Sequence, residues 1–364
     1  MKISIVAGAR PNFMKIAPII HEIEKQRNKG KQISYRLIHT GQHYDKNLSD
    51  TFFKELNIPE PHHNLDVKSG SQAEQTAGIM IGFEKELILN MPDLVLVVGD
   101  VTSTMACTIV AKKMHLKVAH VEAGIRSGDL KMPEEINRIV TDSITDYFFT
   151  TTQEATSYLQ GIGKLKEHIF FVGNVMIDTL VSNLARIKKP TFWDEHSLRN
   201  GQYFVLTLHR PSNVDALDGF SNLLSRIIEN ANGIPVIFPV HPRTKKILKE
   251  AQLEFENLHY VTPQGYLTFI YLVKHAKAVL TDSGGITEEA SILNVPCLTF
   301  RDSTERPETV ALGSNVLVGN DYKKIDEAFL KLNSNNWKHS QAIPKWDGKT
   351  AERIVAHILT LHSD

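Results

Sequence analysis

The feature that most constrains the fold of this chain is a regular alternation of two kinds of segment. Short apolar runs rich in β-branched residues predict strands at residues 3–6, 33–39, 94–98, 117–121, 147–150, 169–172, 203–208, 235–241, 258–261, 278–281 and 296–300. Between them, helical periodicity predicts helices at residues 13–26, with an interruption at Pro18, and at 72–89, 102–114, 134–144, 176–188, 286–293 and 350–361. Such alternation is typical of parallel βαβ units with right-handed crossovers, so the chain is predicted to be α/β.

The alternation weakens only once, after about residue 175, and restarts after residue 200. Because 364 residues exceed the usual size of one hydrophobic core, we expect two doubly wound, Rossmann-like domains that face a central cleft. The expected boundaries are 1–175 for the N-terminal domain, 176–200 for the connection and 201–345 for the C-terminal domain. The last helix, in residues 346–364, is expected to pack back on the N-terminal domain.

Composition argues against several classes of protein. Lys and Arg together number 41, as do Asp and Glu, so no net charge attracts the chain to nucleic acid or to a membrane. No run of 18 apolar residues occurs, and the first apolar run is too short for a signal peptide. The two cysteines, Cys107 and Cys297, lie in apolar runs, which fits a reduced, cytoplasmic setting. The spacing H-x-x-x-H occurs only at His39 and His43, where a turn is predicted, so no metal site is expected.

A glycine turn is predicted where the strand at 278–281 meets the following helix. Backbone N–H groups at a helix N-terminus, with the positive end of the helix dipole, favour a phosphate group. Gly284 and Gly285 would let such a group approach the backbone, and Ser283 adds a hydroxyl. An ordinary strand–helix turn is the alternative interpretation.

Two glutamates follow this turn. Glu288 and Glu289 lie about 100° apart around the predicted helix, so at most one can face a ligand bound there. A carboxylate beside a phosphate is useful if it holds neutral hydroxyls, such as those of a ribose. Acidic residues in a first turn also simply complement the helix dipole.

Polar residues follow most of the predicted strands. In open α/β sheets, ligands bind beyond the carboxyl ends of the strands, so these residues are expected to line one cleft. The set comprises Arg10, His39, Gln42, His43, Asp100, His120, Glu122, His209, Arg210, His241, Asp282 and Ser283. A single member of the set is often only a cap or a turn residue, but ending strands does not require so many ionisable groups.

Several acidic residues of the chain can also be explained by a purely structural role. Glu134 and Glu135 directly follow Pro133, which is also how many helices begin. Asp100 is well placed to cap the helix predicted at 102–114. Glu122, at the end of a buried strand, is harder to explain structurally.

Several longer motifs occur along the chain: GARPNFMKIAP at the start, GD at 99–100, HVEAGIRSGD at 120–129, PEEINR at 133–138, LHR at 208–210, PVH at 239–241, TDSGGITEEA at 281–290 and RDSTERPE at 301–308. Taken together, these motifs resemble those of the non-hydrolysing UDP-N-acetylglucosamine 2-epimerases over nearly the whole chain. The resemblance implies a glycosyltransferase-B type fold, reversible 2-epimerisation of UDP-N-acetylglucosamine (UDP-GlcNAc) to UDP-N-acetylmannosamine (UDP-ManNAc), no cofactor, and a homodimer.

The resemblance also implies roles for individual residues. Those implied to be catalytic are Asp100, Glu122, Glu134 and His209. Those implied to bind the substrate are Arg10, Lys15, Gln264, Phe269, Ser283, Gly284, Gly285, Glu289 and Arg306. Among the latter, Glu289 corresponds to a carboxylate that holds ribose hydroxyls, and Gln264 and Phe269 correspond to positions around the uracil.

The chemistry gives these residue types a reason. The C2 proton of the sugar is not acidic, but anti elimination of UDP couples its removal to cleavage of the C1–O bond and gives a glycal. Re-addition of UDP after protonation of the opposite face of C2 then requires a base and an acid on the two faces. Clustered carboxyl groups raise one another's pKa until some hold a proton. No G-x-G-x-x-G motif occurs, so an NAD-dependent route through a ketone has no visible cofactor site.

The chain also departs from the family pattern. Pro211 and Ser212 stand where many members have a second arginine and a glutamate, and Asn12 follows Pro11 where many have a glutamate. Residues 242–244 likewise differ from the common leucine-asparagine-proline. In bacterial relatives these regions border a second, activating UDP-GlcNAc site, so weaker activation is expected here.

Other functions stay open at this point. One is 2-epimerisation of a modified sugar such as a UDP-diacetamido-uronic acid, and another is a hydrolysing epimerase that releases ManNAc and UDP. A third is a glycosyltransferase of the same fold, which would need an acceptor groove and no carboxylate trio. A catalytically silent nucleotide-sugar sensor is disfavoured because all three carboxylates are present.

Overall fold

The computed structural model describes residues 1–41, 53–210, 217–240, 245, 248 and 254–361, without the side chains of Arg10, Leu217 and Asp218. The chain divides into two compact units. Unit 1 is Met1–Ser182 with Pro344–Asp364, and unit 2 is Asn183–Ile343. In the described part of the chain, no helix is long and apolar enough to cross a membrane.

Unit 1 contains a parallel sheet with helices. Its strands are β1 (Lys2–Ala7), β2 (Ser34–His39), β3 (His63–Asn64), β4 (Leu94–Val98), β5 (Lys117–Val121), β6 (Tyr147–Thr150) and β7 (Ile169–Phe171). Its helices up to the unit boundary are α1 (Arg10–Asn28), α2 (Gln72–Leu89), α3 (Thr102–Lys113), α4 (Pro133–Ile144), α5 (Gln153–Gly161) and α6 (Val175–Asn183). The strand order is β3-β2-β1-β4-β5-β6-β7, with every pair parallel.

Unit 2 repeats this arrangement. Its strands are β8 (Phe204–Thr207), β9 (Val236–Pro239), β10 (Leu258–Val261), β11 (Ala278–Thr281), β12 (Cys297–Thr299) and β13 (Asn315–Leu317). Its helices are α7 (Leu217–Ala231), α8 (Tyr266–His275), α9 (Gly284–Ile292), α10 (Pro307–Ala311) and α11 (Tyr322–Asn333), and the chain then returns to unit 1 with α12 (Thr350–Thr360). The strand order is β10-β9-β8-β11-β12-β13, again with parallel pairs.

The burial of strands β4 and β11 explains why their sequences are almost entirely apolar. All five residues of β4 and all four of β11 are buried, because helices cover both faces of a doubly wound sheet. Continuous apolar runs are therefore the expected sequence for such strands. The predicted α/β class with two doubly wound, Rossmann-like units is confirmed.

The two sheets share one topological property. In unit 1 the strand order reverses between β1 and β4, and in unit 2 it reverses between β8 and β11. Ligands of open α/β sheets bind beyond the carboxyl ends of the strands at such a switch point. The residues that follow these four strands therefore define two candidate half-sites, one in each unit.

The predicted interruption of the first helix at Pro18 is wrong, because α1 runs through it. Proline has no N–H to donate to the carbonyl four residues earlier, which belongs to Met14. The hydroxyl of Thr179, on α6, donates to that carbonyl at 2.6 Å. A tertiary contact thus replaces the missing helical hydrogen bond, which sequence periodicity alone does not show.

Helix α12 packs against α1 within unit 1. Its own N-cap residue, Lys349, provides no side-chain cap. The Asp178 carboxylate, on α6, accepts hydrogen bonds from the backbone N–H groups of Thr350 and Ala351 at 3.0 and 2.7 Å. A residue distant in sequence therefore caps this helix.

Sequence reasoning placed some element ends and short elements differently. The helix predicted at 176–188 is shorter and ends at Asn183, followed by a 3₁₀ turn at Leu184–Arg186. The short strands β3 and β13 were not predicted. Each has only two or three residues, too few to show a period in the sequence.

Candidate active site

At the switch point of unit 1, the side chain of Asn12, in the first turn of α1, bridges the ends of two strands. Its amide oxygen accepts hydrogen bonds from the backbone N–H groups of Gly8 and Ala9 at 3.1 and 2.9 Å. Its amide nitrogen donates to the carbonyl of Val98 at 3.1 Å. One buried side chain thus joins the end of β1 to the end of β4.

Lys15 and Glu122 form an ion pair beside this junction. Lys15 Nζ lies 2.6 Å from Glu122 Oε2, and the Glu122 side chain is only 4% exposed. Glu122 has a φ of 70°, in the left-handed region that is uncommon for residues other than glycine. A Cβ on Gly99 would lie 2.9 Å from Lys15 Nζ. A side chain at residue 99 would displace the lysine ammonium group from this position, so Gly99, Lys15 and Glu122 form one group.

His120 lies beneath this group and is fully buried. Its Nε2 lies 2.8 Å from the carbonyl oxygen of Gly99, and its Nδ1 lies 2.7 Å from Asp142 Oδ1. Burial opposes ionisation of Asp142, but the charges of His120 and Arg126 hold the pKa of this carboxyl below its ordinary value. His120 thus links the Gly99 carbonyl to Asp142 beneath the Lys15–Glu122 pair.

Asp100, the next residue after Gly99, is held by α4. Arg138 Nη2 donates to Asp100 Oδ2, and the side-chain amide of Asn137 donates to the Asp100 carbonyl at 2.9 Å. The Asp100 side chain remains 28% exposed. Because a guanidinium can only donate, Asp100 Oδ2 is the acceptor in this contact, and Arg138 fixes the orientation of the carboxyl group.

The two adjacent glutamates of α4 have different surroundings. Glu135 is buried and accepts hydrogen bonds from the backbone N–H groups of Ser127 and Gly128 at 2.8 and 3.2 Å and from Arg138 Nη1 at 3.0 Å. Burial opposes its ionisation, but these donors hold the pKa of Glu135 below its ordinary value. Glu134 is exposed. Glu135 therefore orders the loop at 127–128 and orients Arg138, while the Glu134 carboxylate faces solvent.

The switch point of unit 2 contains an aspartate–histidine pair. Asp282, fully buried after β11, accepts hydrogen bonds from the backbone N–H groups of His209 and Arg210 at 3.0 and 2.9 Å. Asp282 Oδ1 also lies 2.8 Å from His209 Nδ1, while the His209 side chain is 63% exposed. Burial opposes ionisation of Asp282, but these hydrogen bonds hold its pKa below the ordinary value. Asp282 thus fixes Nδ1 of His209 as a donor and leaves Nε2 facing outward.

The predicted glycine turn is present at the N-terminus of α9. Ser283 is the N-cap residue, and its side chain makes no capping hydrogen bond. A Cβ on Gly284 would lie 3.6 Å from Arg301 Nη1 and 3.9 Å from Glu305 Oε2, whereas a Cβ on Gly285 would meet no atom within 4 Å. The first N–H groups of α9 are therefore accessible to an anion.

The two glutamates of α9 have different partners. Glu288 forms an ion pair with Nε of Arg306. Glu289 is 4% exposed. Burial raises the pKa of Glu289 to about 8, although the neighbouring Tyr266 hydroxyl opposes the shift.

The two residues predicted to surround the uracil lie near α8. Phe269 is on α8, half-buried, and packs against a hydrophobic cluster of unit 2. Gln264 precedes α8, and its side-chain amide donates to the Thr262 carbonyl at 2.6 Å. Unit 2 thus presents a ring, an amide and an open helix N-terminus.

A family model described as UDP-N-acetylglucosamine 2-epimerase matches residues 25–359. The chain belongs to this epimerase family.

Individual relatives agree with the family assignment. A UDP-N-acetylglucosamine 2-epimerase of Methanocaldococcus jannaschii is 44% identical over 373 residues, covering 99% of each chain. The crystal structure of the M. jannaschii enzyme in complex with UDP-GlcNAc and UDP has a TM-score of 0.86 at 43% identity, covering 99% of this chain and 100% of that one. A UDP-2,3-diacetamido-2,3-dideoxy-D-glucuronate 2-epimerase of Pseudomonas aeruginosa is 38% identical, covering 88% of each chain.

Several residues of this epimerase-family chain that sequence reasoning singled out lie outside the described part. These are the side chain of Arg10 and residues Gln42, His43, Pro211, Ser212, His241, Pro242, Arg243 and Thr244. Within the described ranges, no group of three or more His, Cys, Asp or Glu residues is placed to hold a metal ion.

The sequence predicts no role in the site for several residues that contact the predicted ones, namely Glu135, Arg138, Asp142 and Arg301. They lie on helices or in loops whose proximity to the site depends on strand order. The sequence does predict that Asp282, which directly follows a strand and precedes the glycine turn, lines the cleft, but it does not predict the pairing of Asp282 with His209.

Proposed function

We propose that this protein interconverts UDP-GlcNAc and UDP-ManNAc as a non-hydrolysing 2-epimerase. The observation that carries the proposal is the placement of Asp100 and Glu122 after neighbouring strands of unit 1, in a chain of this family. Arg138 and Lys15 respectively donate to these two side chains. Each of these two carboxyl groups is therefore held in place by a cationic donor, and a catalytic acid or base must be positioned in this way.

Unit 2 has the features that binding of UDP requires. In the proposal, Ser283, Gly284 and Gly285 hold the diphosphate at the N-terminus of α9, where free N–H groups and the helix dipole favour anions. Glu289 holds ribose hydroxyls, and its raised pKa allows the neutral carboxyl both to donate and to accept. Phe269 stacks on the uracil. Gln264, Arg306 and Arg10 complete the binding set.

The proposed mechanism is anti elimination of UDP followed by re-addition. A carboxylate of unit 1 removes the C2 proton while the C1–O bond breaks, giving a glycal and UDP. Protonation of the opposite face of C2 and return of UDP to C1 then give the epimer. Asp100, Glu122 and Glu134 supply the acid and base groups. His209 and the helix N-terminus stabilise the charge that develops on the departing diphosphate.

We further propose a cytoplasmic homodimer that supplies UDP-ManNAc to polysaccharide biosynthesis. The support for a dimer is an apolar face on helices α2 and α4, which both pack against α3. Ile81, Ile88 and Leu89 on α2 are 57%, 65% and 79% exposed, and Ile136 and Ile139 on α4 are 48% and 40% exposed. Exposed large apolar side chains on two helices that pack against the same third helix are typical of a surface that a partner covers.

A second candidate is 2-epimerisation of a UDP-diacetamido-uronic acid, which the similarity to the P. aeruginosa enzyme favours. Incubation of the purified protein with UDP-GlcNAc, followed by proton NMR, separates the candidates. The proposal predicts UDP-ManNAc without added cofactor. Free ManNAc with UDP would indicate a hydrolysing enzyme. Turnover of only the diacetamido-uronic substrate would indicate the second candidate, and a requirement for an acceptor would indicate a glycosyltransferase.

A further inference from the structure

The N-terminus of α9 is open to an anion, but its N–H groups are not the only donors directed there. Arg301 follows β12, the strand that pairs with β11. Its side chain is 6% exposed, and its Nη1 lies 3.6 Å from the position that a Cβ on Gly284 would occupy. A buried cation is therefore directed at the first turn of α9.

The two ends of this guanidinium have different surroundings. Arg301 Nη2 donates to Glu305 Oε1 at 2.8 Å. Arg301 Nη1 is buried and has no hydrogen-bond partner among the residues that the structure describes. A buried donor without an acceptor is costly, and more so when it is charged. Glu305 thus fixes the guanidinium through Nη2, while Nη1 is available to donate to an acceptor.

Two further charged groups, Glu305 and Arg210, lie near Arg301 and the first turn of α9. Glu305 Oε2 is 3.9 Å from the same Cβ position on Gly284, and Arg210 Nη2 lies 4.0 Å from Glu305 Oε1. A carboxylate so near a phosphate would repel it without compensation. Two arginines beside one carboxylate leave a net positive charge, which favours an anionic group.

We propose that Arg301 is a diphosphate-binding residue whose Nη1 donates to a phosphate oxygen of the nucleotide at the N-terminus of α9. The proposal rests on the proposed function, in which the turn at residues 283–285 holds the diphosphate. It adds a charged donor that keeps its proton at every working pH. Arg301 therefore stabilises the diphosphate both when it is bound to the sugar and when it leaves.

The test compares the binding of UDP and of uridine to the Arg301→Met variant by calorimetry. Loss of one charge-assisted hydrogen bond is expected to weaken UDP binding by about tenfold to a hundredfold. Uridine, which has no phosphate, is expected to bind within about twofold of the unsubstituted protein. Arg226→Met is the matched control, because Arg226 also pairs with a carboxylate, Asp326, but at the contact between α7 and α11. It should leave both affinities unchanged.

A second comparison separates binding from a structural role. If Arg301 serves the phosphate, Glu305→Gln alone should weaken UDP binding less than Arg301→Met does. In the Arg301→Met background, Glu305→Gln should restore part of the affinity, because it removes the uncompensated negative charge. If Arg301 only pairs with Glu305, the two single variants should have equal effects. That result would overturn the proposal.

Other results also decide the matter. Unchanged UDP affinity in Arg301→Met, or equal weakening of UDP and uridine, would overturn the role of Arg301. If Arg301→Met does not fold, Arg301→Lys can be used instead. Lysine keeps the positive charge, but it cannot donate to Glu305 and to the phosphate from two separate nitrogens as the guanidinium does. UDP binding should therefore still weaken, while uridine binding should not change. A dependence of UDP binding on Arg301 in a protein that does not epimerise UDP-GlcNAc would support Arg301 and reject the proposed reaction.

Discussion

The carboxylates of unit 1 differ in the groups that hold them. Arg138 donates to Asp100, Lys15 donates to Glu122, and Glu134 is exposed on α4. We predict that Asp100→Asn, Glu122→Gln and Glu134→Gln each fold but lose epimerisation by at least about a hundredfold, because each removes an acid or base. Initial rates measured by proton NMR would show this. The exposed Glu154 provides the control, and Glu154→Gln should keep the normal rate. Near-normal turnover in two of the three variants would reject the assignment.

Asp282 is expected to act on the reaction only through His209. We predict that Asp282→Asn lowers kcat by about tenfold to a hundredfold, because an amide no longer fixes the donor role of His209 Nδ1. In a His209→Asn background the same substitution should add little further loss, since the group it orients is absent. A double-mutant cycle on kcat measures this coupling. Equal losses in both backgrounds would mean that Asp282 has only a structural role.

The raised pKa of Glu289 predicts that its contribution to the stability of the protein falls as the pH rises above 4.5. Its folded-state pKa is about 8, raised from 4.5 mainly by burial, so between these values the folded chain binds more protons than the unfolded chain. The contribution of Glu289 to the free energy of unfolding is therefore full below pH 4.5 and is lost as the pH rises towards 8. We predict that Glu289→Gln gains stability relative to the unsubstituted protein between pH 6 and 8.5 in urea unfolding without nucleotide. A constant difference would contradict this prediction.

At the scale of elements, sequence reasoning succeeded where one segment contains the whole pattern. Strand β4 is apolar on both faces because both faces are buried, and helix α2 has the bounds predicted for it, residues 72–89. It failed for α1 at Pro18, since the compensating donor, Thr179, is distant in sequence. Sequence periodicity indicates which face of an element is buried, but it does not indicate which hydrogen-bond donors another element contributes.

This explanation of α1 can be tested. Thr179→Val keeps the shape of the side chain but leaves the Met14 carbonyl without the hydroxyl donor. We predict a loss of about 1–3 kcal/mol in the free energy of unfolding, measured with urea. In a Pro18→Ala background the backbone N–H of residue 18 can donate to that carbonyl, so the same substitution should cost less. An equal cost in both backgrounds would show that Thr179 does not compensate for the proline.

At the scale of the whole molecule, the sequence located the polar residues that follow the strands but not their partners. Ser283, Gly284 and Gly285 are consecutive, so their turn could be predicted directly. The contacts of Asp100 with Arg138 and of His209 with Asp282 join residues that are distant in sequence. They depend on which strands lie side by side, and only the folded sheets show this order.

The apolar face on α2 and α4 predicts self-association. We expect the protein to sediment as a dimer, and Ile88→Asp to shift it towards the monomer, because burial of a charge in an apolar interface is unfavourable. Sedimentation velocity measures the change. Leu330, on α11 of unit 2, is 69% exposed, so Leu330→Asp is a matched control that should leave the dimer intact. A monomeric unsubstituted protein would contradict the prediction.

In the proposed reaction, the C1–O bond breaks and a glycal forms. The most direct measurement is mass-spectrometric detection of the free glycal of N-acetylglucosamine released during turnover of UDP-GlcNAc. The proposed mechanism predicts slow release of glycal and UDP in equal amounts, and more glycal per epimer formed in the variant, Glu122→Gln or Glu134→Gln, that lacks the acid for reprotonation of C2. Continued epimerisation with no glycal from any of these proteins, together with NAD in the purified enzyme, would contradict it.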